Sequence, residues 1–355
     1  MFDDRPNFRV FGTYSGQAFP DTLLDGLTTR LQGVAPEHWA RVEVYVNTQR
    51  MQRRLAELFL QGPARLMPKL TLITDLAHDP LLTNLPMPVP TLKRRLEIAQ
   101  LVRLLIQRVE GLAPASAVFD LTNSLASLMD EMQGEGITPE VIKGLDISDF
   151  SGHWGRALQL IAIVQRYFEG VEAPDKEARQ RASVLALTQR WQENPPDHPI
   201  VVAGSTGSRG TTFHLMKAVA ALPQGAVILP GFDFDMPLRV WAQLSDPKTS
   251  EDHPQYRFLR LLKALDLTPD QVVPWTEATP QAAARNRLVS LALRPAPVTH
   301  HWRQEGPYLT ELDRATQDIT WLEAPNQRIE SKAIALQLRH AAELGQTAAV
   351  ITPDR

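Results

Sequence analysis

Short apolar runs that each feed an amphipathic helix recur along this chain, and that alternation leaves few folds open. The first run, Phe8-Arg-Val-Phe11, leads into the turn Gly12-Thr-Tyr-Ser-Gly16. Pro20 and Asp21 can open a helix reaching Leu31, with Asp21 as its N-cap and Leu23, Leu24, Leu27 and Leu31 on one face. Residues 42–46 are rich in valine and read as a second strand. They run into a helix over 48–60, where Met51, Leu55, Leu58 and Phe59 recur at helical spacing. Residues 70–73 form a third apolar run. Parallel strands need a long crossover, usually helical, and the crossover is right-handed. Repeated strand–helix units therefore predict an α/β domain with a parallel sheet.

The pattern breaks at a proline-rich stretch, 86–90. From 91 to 192 the spacing predicts helix after helix, at 92–109, 120–132, 154–168 and 176–191, and no strand. Asn194-Pro-Pro-Asp-His-Pro199 ends that stretch. Strand–helix alternation then returns: a strand at 200–203, the loop Gly204-Ser-Thr-Gly-Ser-Arg-Gly210, a helix capped by Thr211 or Thr212 and reaching Leu222, and a strand at 226–229. Both flanks share a pattern that the middle lacks, so a helical module inserted into an α/β domain is the simplest organisation. Residues 237–315 read as helices with polar connections. The last forty residues predict a strand at 319–322, a helix at 329–344 and a strand at 348–351. Two strands and a helix bury too little surface to stand alone, so the expectation is a chain cut inside its next domain.

Composition narrows the functions. With 37 Lys+Arg against 40 Asp+Glu the net charge is −3, so nucleic-acid binding would need local patches. There is no cysteine, which excludes a disulfide scaffold, a thiolate zinc site, an iron–sulfur cluster and a cysteine nucleophile in this chain. The acidic, proline-bearing start does not resemble a signal peptide, and the apolar windows fall short of the roughly 20 residues of a membrane span. A soluble, cytoplasmic, monomeric protein without a membrane partner is expected.

The chemistry-bearing candidates lie after strands. Gly12, Thr13, Gly16 and Gln17 sit where a phosphate-binding loop would, but such a loop needs a lysine, and none occurs before Lys69. A plain strand-to-helix turn and a weak nucleotide site both remain open, and ATP or Mg²⁺ binding is not expected. Asn47, Thr48, Arg50, Arg53 and Arg54 open the helix after the second strand. No acid occurs between Val44 and Ala56, so the arginines suit either phosphate contact or a solvated face. Lys93-Arg94-Arg95 reads as a solvated basic face. Gly204, Ser205, Thr206, Gly207 and Ser208 form a candidate anion-binding loop. Hydrolysis there would call for an acid at the strand end, where Ala203-Gly204 stands instead. His300, His301, Asp233 and Asp235 lack any metal-ligand spacing, and no metal site or catalytic residue is expected. Trp39 and Trp154 could stack bases.

These landmarks together carry a resemblance. The run Val10 to Pro20, Asn47-Thr-Gln-Arg50, the helical insertion, Val201-Val-Ala-Gly-Ser-Thr-Gly-Ser208, Gly225 to Asp233, Glu323-Ala-Pro-Asn326 and Ala348 to Arg355 resemble the N-terminal part of the AddB family of double-strand-break repair subunits, in its alphaproteobacterial form. The resemblance implies a superfamily 1 helicase-like architecture. A first RecA-like (P-loop NTPase-like) domain would span 1–86 and 199–316, with an all-α subdomain at 87–198 and a truncated second RecA-like domain at 317–355. It implies an AddA-like motor subunit and single-stranded or duplex-end DNA as partners. By position Asn47, Thr48 and Arg50 would touch the DNA backbone, and Arg355 would begin another nucleotide-contacting motif. The family's iron–sulfur nuclease domain lies outside this chain. The rival readings are an active nucleotide hydrolase using the Gly204–Gly210 loop and an interaction scaffold without DNA affinity.

Overall fold

Strands that are apolar at nearly every position need cover on both faces, and the computed structural model, which describes residues 8–78, 85–109, 111–138, 140–141 and 174–352, provides it. Six described strands form one all-parallel sheet: β1 (Val10–Gly12), β2 (Glu43–Val46), β3 (Lys69–Leu72), β4 (Ile200–Ala203), β5 (Gly225–Leu229) and β6 (Val273–Pro274), in the order β3-β2-β4-β5-β1-β6. The α/β expectation holds. The helices α1 (Phe19–Arg30) and α2 (Gln49–Gln61) cover one face through Leu23, Leu27, Leu55 and Phe59, packed on Phe11, Val44, Val46, Val201 and Ile228. The opposite face carries α5 (Lys176–Glu193), α6 (Gly210–Ala220) and α7 (Tyr256–Ala264), whose Val184, Leu187, Leu215, Met216 and Phe258 pack on Tyr45, Val202, Val227 and Leu229.

Two helices of the central stretch, α3 (Thr91–Arg108) and α4 (Val118–Glu135), build a smaller core from Ile98, Val102, Leu125, Met129 and Met132. Helix α5 belongs to both bodies: its later turns enter the sheet's core, while its N-cap Asp175 faces Arg94 of α3. Arg94 is therefore not part of a solvated basic face. It is buried, paired with Asp130 and Asp175. Arg179 is buried too, and its guanidinium donates to the carbonyls of Ala77, Leu85 and Pro86, closing the break between β3 and α3. The helix expected at 154–168, with Trp154, lies outside the described residues.

Other expectations are corrected. The N-cap of α1 is Ala18, without a side-chain cap, because Pro20 takes the first turn, where its missing N–H costs nothing. That places Asp21 inside the helix, where its charge still favours the positive end. Helix α6 starts at Gly210, capped by neither Thr211 nor Thr212. The region 237–315 contributes the edge strand β6, besides helices such as α8 (Ala283–Ala292). In the tail only the helix forms, α9 (Gln327–Glu343), capped by Asn326, and none of its residues is buried. Residues 319–322 and 348–351 are not strands, since an extended segment is held only by a neighbour that takes its backbone hydrogen bonds. Among the described residues no helix is long and apolar enough to cross a membrane.

Candidate functional site at the carboxyl edge of the sheet

Ligands of open parallel sheets bind beyond the carboxyl ends of the strands, where neighbouring connections leave for opposite faces. Here β1 and β2 lead to helices on one face, whereas β4 leads to the other. The crevices of interest therefore lie beside β1 and between β2 and β4.

The ends of β1 and β5 are stitched together by Thr13. Its amide donates to the Leu229 carbonyl at 2.9 Å, its carbonyl accepts from Phe232 at 2.8 Å, and its hydroxyl accepts from Gly231 at 3.2 Å. Gln255 completes the seam, donating to the Gly231 carbonyl and accepting from the Asp233 amide. Aromatic rings fill the space above. A Cβ on Gly12 would lie 2.7 Å from Phe232 and 2.8 Å from Phe234, and Tyr14 packs on Phe234 at 4.7 Å between centroids. Gly16 turns the chain with φ +81°, and the Gln17 side chain accepts from the Tyr14 amide at 3.1 Å. The positive end of α1 faces Asp21, itself 3.5 Å from Arg54. The Thr13 amide and hydroxyl, the Tyr14 amide and the Gln17 side-chain oxygen, which could have faced a phosphate, all have partners in the chain. Thr13→Val keeps the volume and strands the part-buried Gly231 amide. A stability loss of about 1–3 kcal/mol is expected, read as a lower urea midpoint at unchanged slope.

Beside β4 the seam is Asn47, whose amide nitrogen donates to the Gly204 carbonyl at 2.9 Å. Phe19 lies against Gly204, 3.1 Å from where a Cβ would stand, so the two glycine loops meet through this ring. Gly204 and Gly207 have φ of +74° and +66°, the left-handed geometry of an anion nest. The nest is nonetheless engaged from within. Buried Ser205 accepts from the Gly207 amide at 3.3 Å, and the Glu135 carboxylate, from α4, accepts from the Gly210 amide at 2.6 Å. A chain carboxylate thus occupies the start of α6. Only Thr206 and Ser208 of the candidate loop, with Arg209, face solvent.

Helix α2 differs. Thr48 caps it, accepting from the Met51 amide at 3.2 Å, and Gln52 ties it to β3 through the Leu70 carbonyl. Its first turn contains no acid. Arg50 and Arg53 are exposed and, among the described residues, have no ion-pair partner. Arg54 does not share that state: it reaches Asp21 and, at 3.7 Å, Glu57. Sequence distance hid the Asp21 contact.

The remaining candidates are structural. Asp233 is partly buried, which raises its carboxyl above the usual range against hydrogen bonds from Ser290 and the Asp235 amide. His301 lies 3.4 Å from Glu305, which Arg239 and Arg294 also hold. Trp39 is core, edge-on to Phe59 and covered by Arg65. Among the described residues no group of three or more His, Cys, Asp or Glu side chains is placed to hold a metal ion. No protein-family model matches the chain, and no curated protein matches it.

Proposed function

We propose that this chain is the helicase-like, motor-inactive part of a DNA double-strand-break repair complex, guiding single-stranded DNA along the carboxyl edge of a RecA-like sheet and scaffolding an AddA-like motor subunit in the cytoplasm. The observation that carries the reading is a contrast within one edge. The two glycine loops are engaged by the chain's own hydroxyl, carboxylate, amide and aromatic groups, while Arg50 and Arg53 stand open beside them. Arg50, in the first turn of α2, opposes the helix dipole at about 0.3–1 kcal/mol, which a phosphate arriving there relieves, and Arg53 stands one turn further along the same side. A triphosphate, by contrast, needs a fixed cation and a metal-holding carboxylate to be cleaved, and neither loop offers both.

The test is single-stranded DNA binding by anisotropy between 50 and 200 mM salt, in the full chain with and without Arg50→Ala and Arg53→Ala. Each phosphate contact contributes about 0.7 to the slope of log affinity on log salt, so the double variant should lower that slope by about 1.4. Micromolar uptake of Mg-ATP by calorimetry, lost on mutation of Ser208, would move the reading to a nucleotide hydrolase. Neither DNA nor nucleotide binding would leave the scaffold.

A further inference from the structure

The end of α4 is seated on the start of α6. The Gly134 carbonyl accepts from the Thr211 hydroxyl at 3.1 Å and from Arg181 at 3.2 Å, and Glu135 accepts from the Gly210 amide. The fit is close: a Cβ on Gly210 would lie 3.0 Å from both the Glu135 Cα and the Gly134 carbonyl oxygen. Gly136 ends α4 at φ +71°, and the Arg181 guanidinium covers the space its side chain would need. Arg181, on α5, thus holds the end of α4 in place.

The other arm of Arg181 reaches His214 on α6, with Nη2 3.3 Å from Nε2. A guanidinium only donates, so Nε2 must be the lone-pair nitrogen and the ring must be neutral in this geometry. A proton on Nε2 would convert the acceptor into a donor and set a second cation against the first. The groups facing the ring compound the effect. Arg181 comes from α5, Lys217 from α6 itself and Arg260 from α7, against the single carboxylate of Glu135 from α4, which is already engaged.

We propose that His214 is a pH-sensitive release for the α4–α6 joint: charging the ring expels Arg181, frees the Gly134 carbonyl and unseats Glu135 from α6. Burial lowers the affinity of the ring for a proton, Arg181 and Lys217 lower it further, and Glu135 partly opposes them. The sign follows. In the opened joint the ring regains an ordinary pKa of about 6.5, so the open form takes up the proton first. The closed joint is fully favoured above that value and loses its advantage as the pH falls from it towards the lowered pKa of the closed form. The Gly210 amide and the Gly134 carbonyl, beside a cleft of about 660 Å³ lined by Ser208, Arg209, Glu131 and Glu135, are the groups such a release uncovers.

Amide hydrogen exchange of the full chain, corrected for intrinsic rates, tests this between pH 8 and 5.5. Protection at the Gly210 amide, which donates to Glu135, should fall by up to about ten-fold over that interval, the effect of one proton across about one pH unit. The β4 amides should hold their protection. His214→Gln keeps an acceptor for Arg181 and cannot charge, so it should keep protection at pH 5.5. If that variant does not fold, Arg181→Gln serves: its amide oxygen can accept from the charged ring, and the fall should shrink at least three-fold. A flat wild-type profile, an equal fall in the variant, or an equal fall in β4 would each overturn the proposal.

Discussion

Trp275→Ala is expected to destabilise the fold by about 3–5 kcal/mol, the range for emptying a buried indole site. The side chain is 1% exposed. Its ring lies edge-on to Phe11 at 4.9 Å and beneath the Arg30 guanidinium at 3.7 Å, and its Nε1 donates to the Leu23 carbonyl at 3.2 Å. The backbone adds two more ties, because the Trp275 amide donates to Gly12 and its carbonyl accepts from Arg30. One residue therefore fastens edge strand β6 to both β1 and α1. The fit explains a glycine in the middle of α1: a Cβ on Gly26 would stand 2.1 Å from the indole nitrogen. Gly26→Ala should accordingly destabilise the wild type but stabilise the Trp275→Ala background, where the space is empty and alanine's helix propensity is worth about 1 kcal/mol in its favour. Denaturant unfolding of the four members of the cycle gives the coupling. A neutral Gly26→Ala in the wild type would show that the ring can turn away and that the packing argument is wrong.

Periodicity made the sheet's inner strands and their helices legible, because β2, β4 and β5 are buried on both faces and their residues are almost all apolar. What it missed depends on partners far away in the chain. Strand β6 is two residues long, and one of them is a proline; it becomes a strand only because β1 lies beside it. Residues 319–322 and 348–351 have the right composition and no such neighbour. The Gly204–Gly210 loop looked open because its anion, Glu135, lies 75 residues earlier. Arg54 looked unpaired because Asp21 belongs to another helix. Arg50 and Arg53 are the converse: no acid stands between Val44 and Ala56, and among the described residues neither arginine has an ion-pair partner. The absence of a phosphate-loop lysine was readable, but the filling of the loop by Phe232 and Phe234 was not, since it needs the β1–β5 pairing to bring those rings over Gly12.

Asp175→Ala should be nearly as costly as the loss of Trp275, about 3–5 kcal/mol, because one carboxylate serves two structures. One oxygen caps α5, accepting from the Ala178 amide at 2.7 Å, a bond worth about 1 kcal/mol. The other lies 3.2 Å from Arg94, whose side chain is 7% exposed and whose second partner, Asp130, is half in solvent. Removing Asp175 leaves a guanidinium buried between α3, α4 and α5 with a single, partly hydrated counter-charge, and stranding a buried charge is what makes such pairs expensive to break. Asp175→Asn retains the cap and the shape and should lose only about 1.5–3 kcal/mol. The wild type also separates from both substitutions by pH. Burial raises the Asp175 carboxyl above its usual range, more than the Ala178 amide and Arg94 lower it. The folded chain therefore takes up this proton before the unfolded chain does, and the group's contribution to stability grows as pH falls from the raised value to about 3.8. The wild type should gain on Asp175→Asn through that window in unfolding titrations run pH by pH. A constant difference would mean that Arg94 and the Ala178 amide together fully offset the burial of this carboxylate.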